Sequence, residues 1–225
     1  VIPDLRLVIF DVDGTLVDSQ AEILGAMTQA FTAVDLAVPG RAQILSIVGL
    51  SLPETFCVLC PDLDKATRDE LTSQYRASFH DHATADLERR SPLFPGALDA
   101  LQRLQAQDHT LLAVATGKSK RGLDRLVDEH ALQGLFVSSQ TSDFHPSKPH
   151  PSMVLTCLAD AGVTAGRAVM IGDTSYDMDM ARAAGVATIG VGWGYHAPDT
   201  LGADRLIDTF AALDAAIDDL IGDPV

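Results

Sequence analysis

Basic residues are scarce: 16 Lys and Arg stand against 31 Asp and Glu in 225 residues, a net charge of −15. Such a surface repels a polyanion, which excludes a protein that wraps nucleic acid, because that role needs a basic stripe. A small anionic substrate is still compatible with a site whose local field is positive. Cysteine is rarer, at three, too few for a disulfide framework, and Cys57 and Cys60 have no second ligand pair to complete a zinc site. All three thiols are read as small core residues, in a reducing compartment. No apolar run approaches the ~18 residues that span a bilayer. The opening Val1-Ile2-Pro3-Asp4 lacks the basic stretch and apolar core of a secretory signal. The expectation is a cytoplasmic protein with no membrane partner. Repeats and low-complexity tracts are absent too. What the chain does have is 47% apolar residues, enough at this length to hide roughly 70% of its unfolded surface, so a disordered chain is excluded.

Several apolar runs are too short for helices and end in a small or polar residue, the pattern of buried parallel strands. Leu7 to Phe10 runs into Asp11, Leu111 to Ala115 into Thr116, Ala168 to Ile171 into Gly172-Asp173, and Ala187 to Val191 into Gly192. Leu135 to Val137, before Ser138-Ser139, is a fifth candidate. Between them lie helical spacings such as Leu123, Leu126, Val127, His130 and Val154, Leu158, Ala161, with Pro151 placed for a first turn and Gly185 for a C-terminal stop. Phe210, Leu213, Ile217 and Leu220 predict an amphipathic terminal helix. Alternating strand and helix predicts an α/β fold, a Rossmann-like parallel sheet with helices on both faces. Residues 18 to 92 break the alternation: Ile23, Met27, Ala30, Phe31, Val34 and later Leu71, Tyr75, Phe79 have helical spacing only. They predict a small all-helical domain inserted after the first strand. The turn-rich Ser91-Pro92-Leu93-Phe94-Pro95-Gly96 marks the return. The division is then residues 1–17 and 93–225 for the α/β core and 18–92 for the insertion.

Ligands of open α/β sheets sit beyond the carboxyl ends of the strands, and Asp11, Asp13, Thr116 and Asp173 all fall there. One Asp in such a place is an ordinary turn or cap residue. Several together, with a lysine nearby, are not. The stretch Asp11-Val12-Asp13-Gly14-Thr15-Leu16 resembles the nucleophile loop of the haloacid dehalogenase superfamily, most closely its phosphatases. Two carboxylates two apart on an extended segment point the same way, so that one can attack while the other handles a proton. Gly14 permits the bend that follows. Ala115-Thr116-Gly117-Lys118 is similar to the family's second motif, and a strand passing into a helix start suits an anion in general. Lys148, within Pro146-Ser147-Lys148-Pro149-His150-Pro151, matches the third, on a loop that its prolines stiffen. Gly172-Asp173-Thr174-Ser175-Tyr176-Asp177 is similar to the fourth, metal-binding motif. Its two acids are four apart on one helix face, a spacing that the helix dipole alone would also favour.

The resemblance covers about residues 5 to 220, with four motifs in order and the helical insertion where the family carries its first-type cap. It implies a phosphoric monoester hydrolase of the phosphoglycolate phosphatase branch, acting on a small phosphorylated metabolite through an aspartyl-phosphate. Asp11 is then the nucleophile and Asp13 the general acid and base. Gly14, Thr15, Thr116, Gly117, Lys118 and Lys148, with Gly49 from the cap loop Val48-Gly49-Leu50-Ser51-Leu52, are implied to hold phosphate or substrate. Mg²⁺, the hard cation that an oxygen-rich site suits, is implied at Asp11, Asp13 (through its backbone carbonyl) and Asp173, with Asp177 steadying Lys148 or a water beside the metal. An acid at position 13 fits an oxygen leaving group, since relatives that release halide or cleave phosphonates carry Tyr or Ala there. It fits a phosphomutase of the β-phosphoglucomutase type equally, and a non-catalytic phosphate-binding relic is the third reading. Arg76 and Arg121 are read as solvated surface residues before substrate contacts. His80 and His82 are read as an exposed polar stretch before a metal pair. Gly190-Val191-Gly192-Trp193-Gly194 lacks dinucleotide-loop spacing and reads as a turn close to the site. The expected assembly is a monomer or small homo-oligomer.

Overall fold

The computed structural model describes residues 5–82 and 91–222; the side chains of residues 79–82, and with them the readings of Phe79, His80 and His82, lie outside the described residues. Six strands form one parallel sheet: β1 (Arg6–Phe10), β2 (Thr110–Thr116), β3 (Ser138–Thr141), β4 (Ala168–Gly172), β5 (Ala187–Val191) and β6 (Arg205–Ile207), in the order β3-β2-β1-β4-β5-β6. β1 is buried along its whole length. Its side chains alternate between the two faces, as the pleat requires. Val8 and Phe10 join the cluster formed with α5 (Ala97–Gln105), α6 (Lys120–Glu129) and α9 (Leu213–Ile221). Leu7 and Ile9 join the other, formed with α7 (Ser152–Ala161) and α8 (Ser175–Ala183). Near-continuous apolar strands are therefore legible because both faces are covered.

Between β1 and α5 the described residues form four helices: α1 (Gln20–Ala33), α2 (Arg41–Leu45), α3 (Leu52–Leu59) and α4 (Lys65–His82). They bury a third cluster of their own, around Met27, Phe31, Phe56, Leu71 and Tyr75. No helix among the described residues is long and apolar enough to cross a membrane.

Two expectations need correction, and one strand, β6, has no counterpart among the predicted ones. The fifth strand is Ser138–Thr141, three residues downstream of the predicted Leu135 to Val137. Leu135 and Phe136 instead pack against the α5/α6/α9 cluster, and Val137 only begins the pairing, with its N–H on the Leu112 carbonyl at 2.9 Å. β6 is three residues long on the sheet's edge, two of them exposed, and carries no periodic signal. Cys57 is exposed and Cys60 half-buried, so only Cys157 is a core thiol; burial pushes it up to about 12.

β1 is also tied down by its first residue. Arg6 is 2% exposed and reaches Asp218 of α9 at 2.5 Å, Gln107 at 2.8 Å and Thr110 at 2.9 Å. Removing a buried, multiply bonded guanidinium strands its acceptors. Arg6→Ala is expected to destabilise the protein by about 1–3 kcal/mol in urea denaturation.

Candidate active site

The register brings three strand ends to one place. Phe10 lies level with Val114 of β2 and with Ile171 of β4. Asp11 follows Phe10 directly, Thr116 is two residues beyond Val114 and Asp173 two beyond Ile171, so they project from adjacent strands about 4.8 Å apart. Beyond β1 the backbone curls into a tight loop, with the N–H groups of Thr15, Leu16 and Val17 all on the Val12 carbonyl. Gly14 sits there at φ +84°, where a Cβ would lie 2.2 Å from Asp173 Oδ2. Only glycine allows both the conformation and the approach.

Four charged side chains are closed off from water at this point: Asp11, Lys148, Asp173 and Asp177, each at most 1% exposed. Lys148 Nζ lies 2.9 Å from Asp11 Oδ1 and 2.6 Å from Asp177 Oδ1. Asp177 caps α8: its Oδ2 accepts from the Thr174 hydroxyl at 2.7 Å and the Thr174 N–H at 3.1 Å. Asp173 accepts from the Thr15 hydroxyl at 3.0 Å and the Tyr195 N–H at 2.8 Å. Asp11 accepts no hydrogen bond of good geometry on either oxygen, its Lys148 contact being an ion pair off the directional optimum. Burial, reinforced by Asp177, pushes the Asp11 carboxyl up to about 7 against the pull of Lys148. Asp173 is raised for the same first reason, with Asp177 and Asp11 adding to it. Burial alone would lower Lys148, but Asp11 and Asp177 outweigh it and hold the ammonium above its usual range.

A buried carboxylate with one lysine on one oxygen and no partner on the other has lone pairs left for a cation. Carboxylate oxygens of Asp11, Asp173 and Asp177 lie within 4.8 Å of one another, and all are hard ligands of the kind that hold Mg²⁺ or a similar ion. The site therefore fits a divalent metal.

The remaining candidates lie around this cluster. Asp13 pairs with Lys118 at 2.9 Å, and the Thr116 hydroxyl accepts from the Lys118 N–H at 3.2 Å. Gly49, at φ +100°, reaches over from the α2–α3 loop, and a Cβ on Gly117 would stand 2.3 Å from its carbonyl oxygen. Asp11, Asp13, Gly49, Thr116, Gly117 and Lys118 line one cavity between the helical insertion and the sheet. Arg76 and Arg121 line it as well, and both are exposed. Sequence reasoning missed Ser147, whose hydroxyl accepts the Ser51 N–H at 2.8 Å. It also missed Tyr195, whose N–H holds Asp173 while its phenol lies 3.0 Å from the Ser19 nitrogen. The only signal was the glycine-rich turn after β5, read for its bend and not for the residue that follows it.

The Asp11 shift fixes a sign. The carboxyl titrates near 3.8 when unhindered and about 7 in the folded chain. The native state therefore holds the extra proton across that window, and stability falls as pH rises through it. In chelator at about pH 8, Asp11→Asn is expected to melt several degrees above the wild type. The gain should shrink as pH falls through the window and vanish only at about pH 3.8 and below, where the unfolded carboxyl is protonated too; differential scanning calorimetry from about pH 8 down to about pH 3.5 checks it.

A family model described as haloacid dehalogenase-like hydrolase matches residues 8–191. The probable phosphatase IndB of Dickeya dadantii is 35% identical over 91% of this chain and 90% of its own length. A phosphoglycolate phosphatase of Mesorhizobium japonicum is 29% identical over 84% and 83%. Among solved structures, a predicted phosphoglycolate phosphatase from Haemophilus somnus superposes with a TM-score of 0.83 at 21% identity, covering 96% of this chain and 99% of that one. That last likeness concerns the fold.

Proposed function

The chain belongs to the haloacid dehalogenase-like hydrolase family, and on that premise we propose that it is a Mg²⁺-dependent phosphatase hydrolysing a small organic phosphate monoester through an aspartyl-phosphate. The observation that carries the reading is Asp11, buried at the end of β1 with one oxygen met only by Lys148 and the other without a hydrogen-bond partner. An Asp11 oxygen attacks phosphorus, and the ester oxygen leaves with a proton from Asp13. Asp13 then takes a proton from water, whose oxygen attacks phosphorus, freeing inorganic phosphate and restoring Asp11. Asp11, Asp173 and the Asp13 carbonyl would hold Mg²⁺, which when bound supplies positive charge against the transferring phosphoryl group. Lys148, fixed by Asp177, adds a second positive charge at the attacking carboxylate.

Lys118 occupies the Asp13 carboxylate in the free protein. A substrate phosphate offers the same ammonium a second anion and leaves Asp13 to the departing oxygen. Thr116 and the N–H groups of Gly117 and Lys118 serve the remaining phosphate oxygens, whereas the donors of Gly14 and Thr15 are spent on Val17, Val12 and Asp173, so these two shape the loop beside the phosphate. The helices of residues 18–92 act as a cap over the core of 1–17 and 93–225, and Gly49 brings the cap loop to the phosphate. The relatives' names support phosphoglycolate as the first ester to try.

Phosphate release from a panel of esters, with Mg²⁺ or chelator, tests the reading. Wild-type turnover should require the metal and fall at least about 10³-fold in Asp11→Asn, the order seen when a nucleophile is lost. Equal turnover by the variant would refute the assignment of Asp11. A lasting phosphoenzyme that interconverts sugar phosphates would identify a phosphomutase instead.

A further inference from the structure

Resting on the phosphatase reading, we infer that the leaving group is bulky and largely apolar, a ring-sized alcohol and not a two-carbon acid. The cavity that Asp11 and Asp13 open into has a volume of about 880 Å³, in the upper part of the range for sites that take drug-sized molecules. Phosphoglycolate has about nine non-hydrogen atoms and, even at liquid water's ~30 Å³ each, fills under about 270 Å³. It would leave most of the space to water.

The volume is not that of a lifted cap. The Gly49 carbonyl already sits where a Gly117 side chain would be, and the Ser51 N–H is bonded to Ser147. Glu22 of α1 is paired with Arg125 of α6, and the Tyr176 hydroxyl donates to the Ser46 carbonyl at 3.2 Å. Room for a large group is therefore present with the cap seated.

The wall that this group would meet is apolar. Ile23 and Met27 of α1, Val48 and Leu50 of the α2–α3 loop and Tyr75 of α4 all line the cavity, and all are buried. A carboxylate laid against them would give up its water for a single phenol donor, whereas a hydrocarbon ring gains by the same contact. Four cations also line the cavity: Lys118, engaged by Asp13, Arg125, engaged by Glu22, and Arg76 and Arg121, both exposed to solvent and so not part of this buried apolar wall.

Naphthalen-2-ylmethyl phosphate and phosphoglycolate both release a primary alcohol, so their relative kcat/KM reads fit more than leaving-group strength. The wild type should favour the naphthyl ester by at least about tenfold, the scale of a modest apolar complement. Ile23→Trp, which fills the wall, should cut that ratio about tenfold. The wild-type ratio stands as a test even if the variant fails to fold. Preference for phosphoglycolate, or an unchanged ratio in folded Ile23→Trp, overturns this inference and leaves the phosphatase reading intact. Metal-dependent release from neither ester, nor from any of the panel above, overturns both.

Discussion

Three carboxylates and one ammonium share a site from which water is excluded, and most of the structure around it follows from that imbalance. Asp11, Asp173 and Asp177 against Lys148 leave a net charge of −2 if all are ionised, and an uncompensated charge is among the costliest things a protein interior can hold. The fold meets part of the cost with fixed dipoles. Thr174 and the first turn of α8 satisfy Asp177, and Thr15 and the Tyr195 N–H satisfy Asp173. Asp11 receives only the lysine, and burial, reinforced by Asp177, outweighs that pull and keeps its carboxyl high. A divalent cation would restore neutrality, so the same imbalance that burdens the free protein prepares it for metal.

The imbalance also reconciles a chain of charge −15 with an anionic substrate. On the proposed reading, a phosphate approaching this site meets Lys118 and the N–H groups that follow Thr116, while Asp11 and Asp173 are the acids a cation would neutralise. The overall charge is a property of the surface, and the local field is set by a few groups in a low-dielectric cleft. Gly14 and Gly117 matter for the same reason, because any side chain there would push the acids or the cap loop out of place.

The strands that flank the site were legible because burial on both faces writes them as unbroken apolar runs, and each runs into a polar residue of the candidate site. Asp11, Thr116 and Asp173 could be read as convergent before any coordinates, since parallel strands share one carboxyl edge. The edge strands were not legible in the same way. Ser138–Thr141 is a polar segment that pairs on one side only, and its apolar neighbours Leu135 and Phe136 pack elsewhere. β6 is too short for any period. Contacts that join distant loops left no trace either: nothing in the local sequence says that the Tyr195 N–H reaches Asp173, that Ser147 receives Ser51, or that Cys57 faces solvent within the apolar run Phe56 to Leu59. Such contacts depend on how the helical insertion meets the sheet, which is long-range information.

The central claim is that Asp11 and Asp173, raised by burial, hold protons which a divalent cation displaces. Calorimetric titration of metal-free protein with Mg²⁺ at about pH 6.5, in two buffers of different ionisation enthalpy, tests it most directly. The account predicts one bound ion and an apparent enthalpy that differs between the buffers by the release of about one proton. Absence of binding, or binding with the same enthalpy in both buffers, would contradict it.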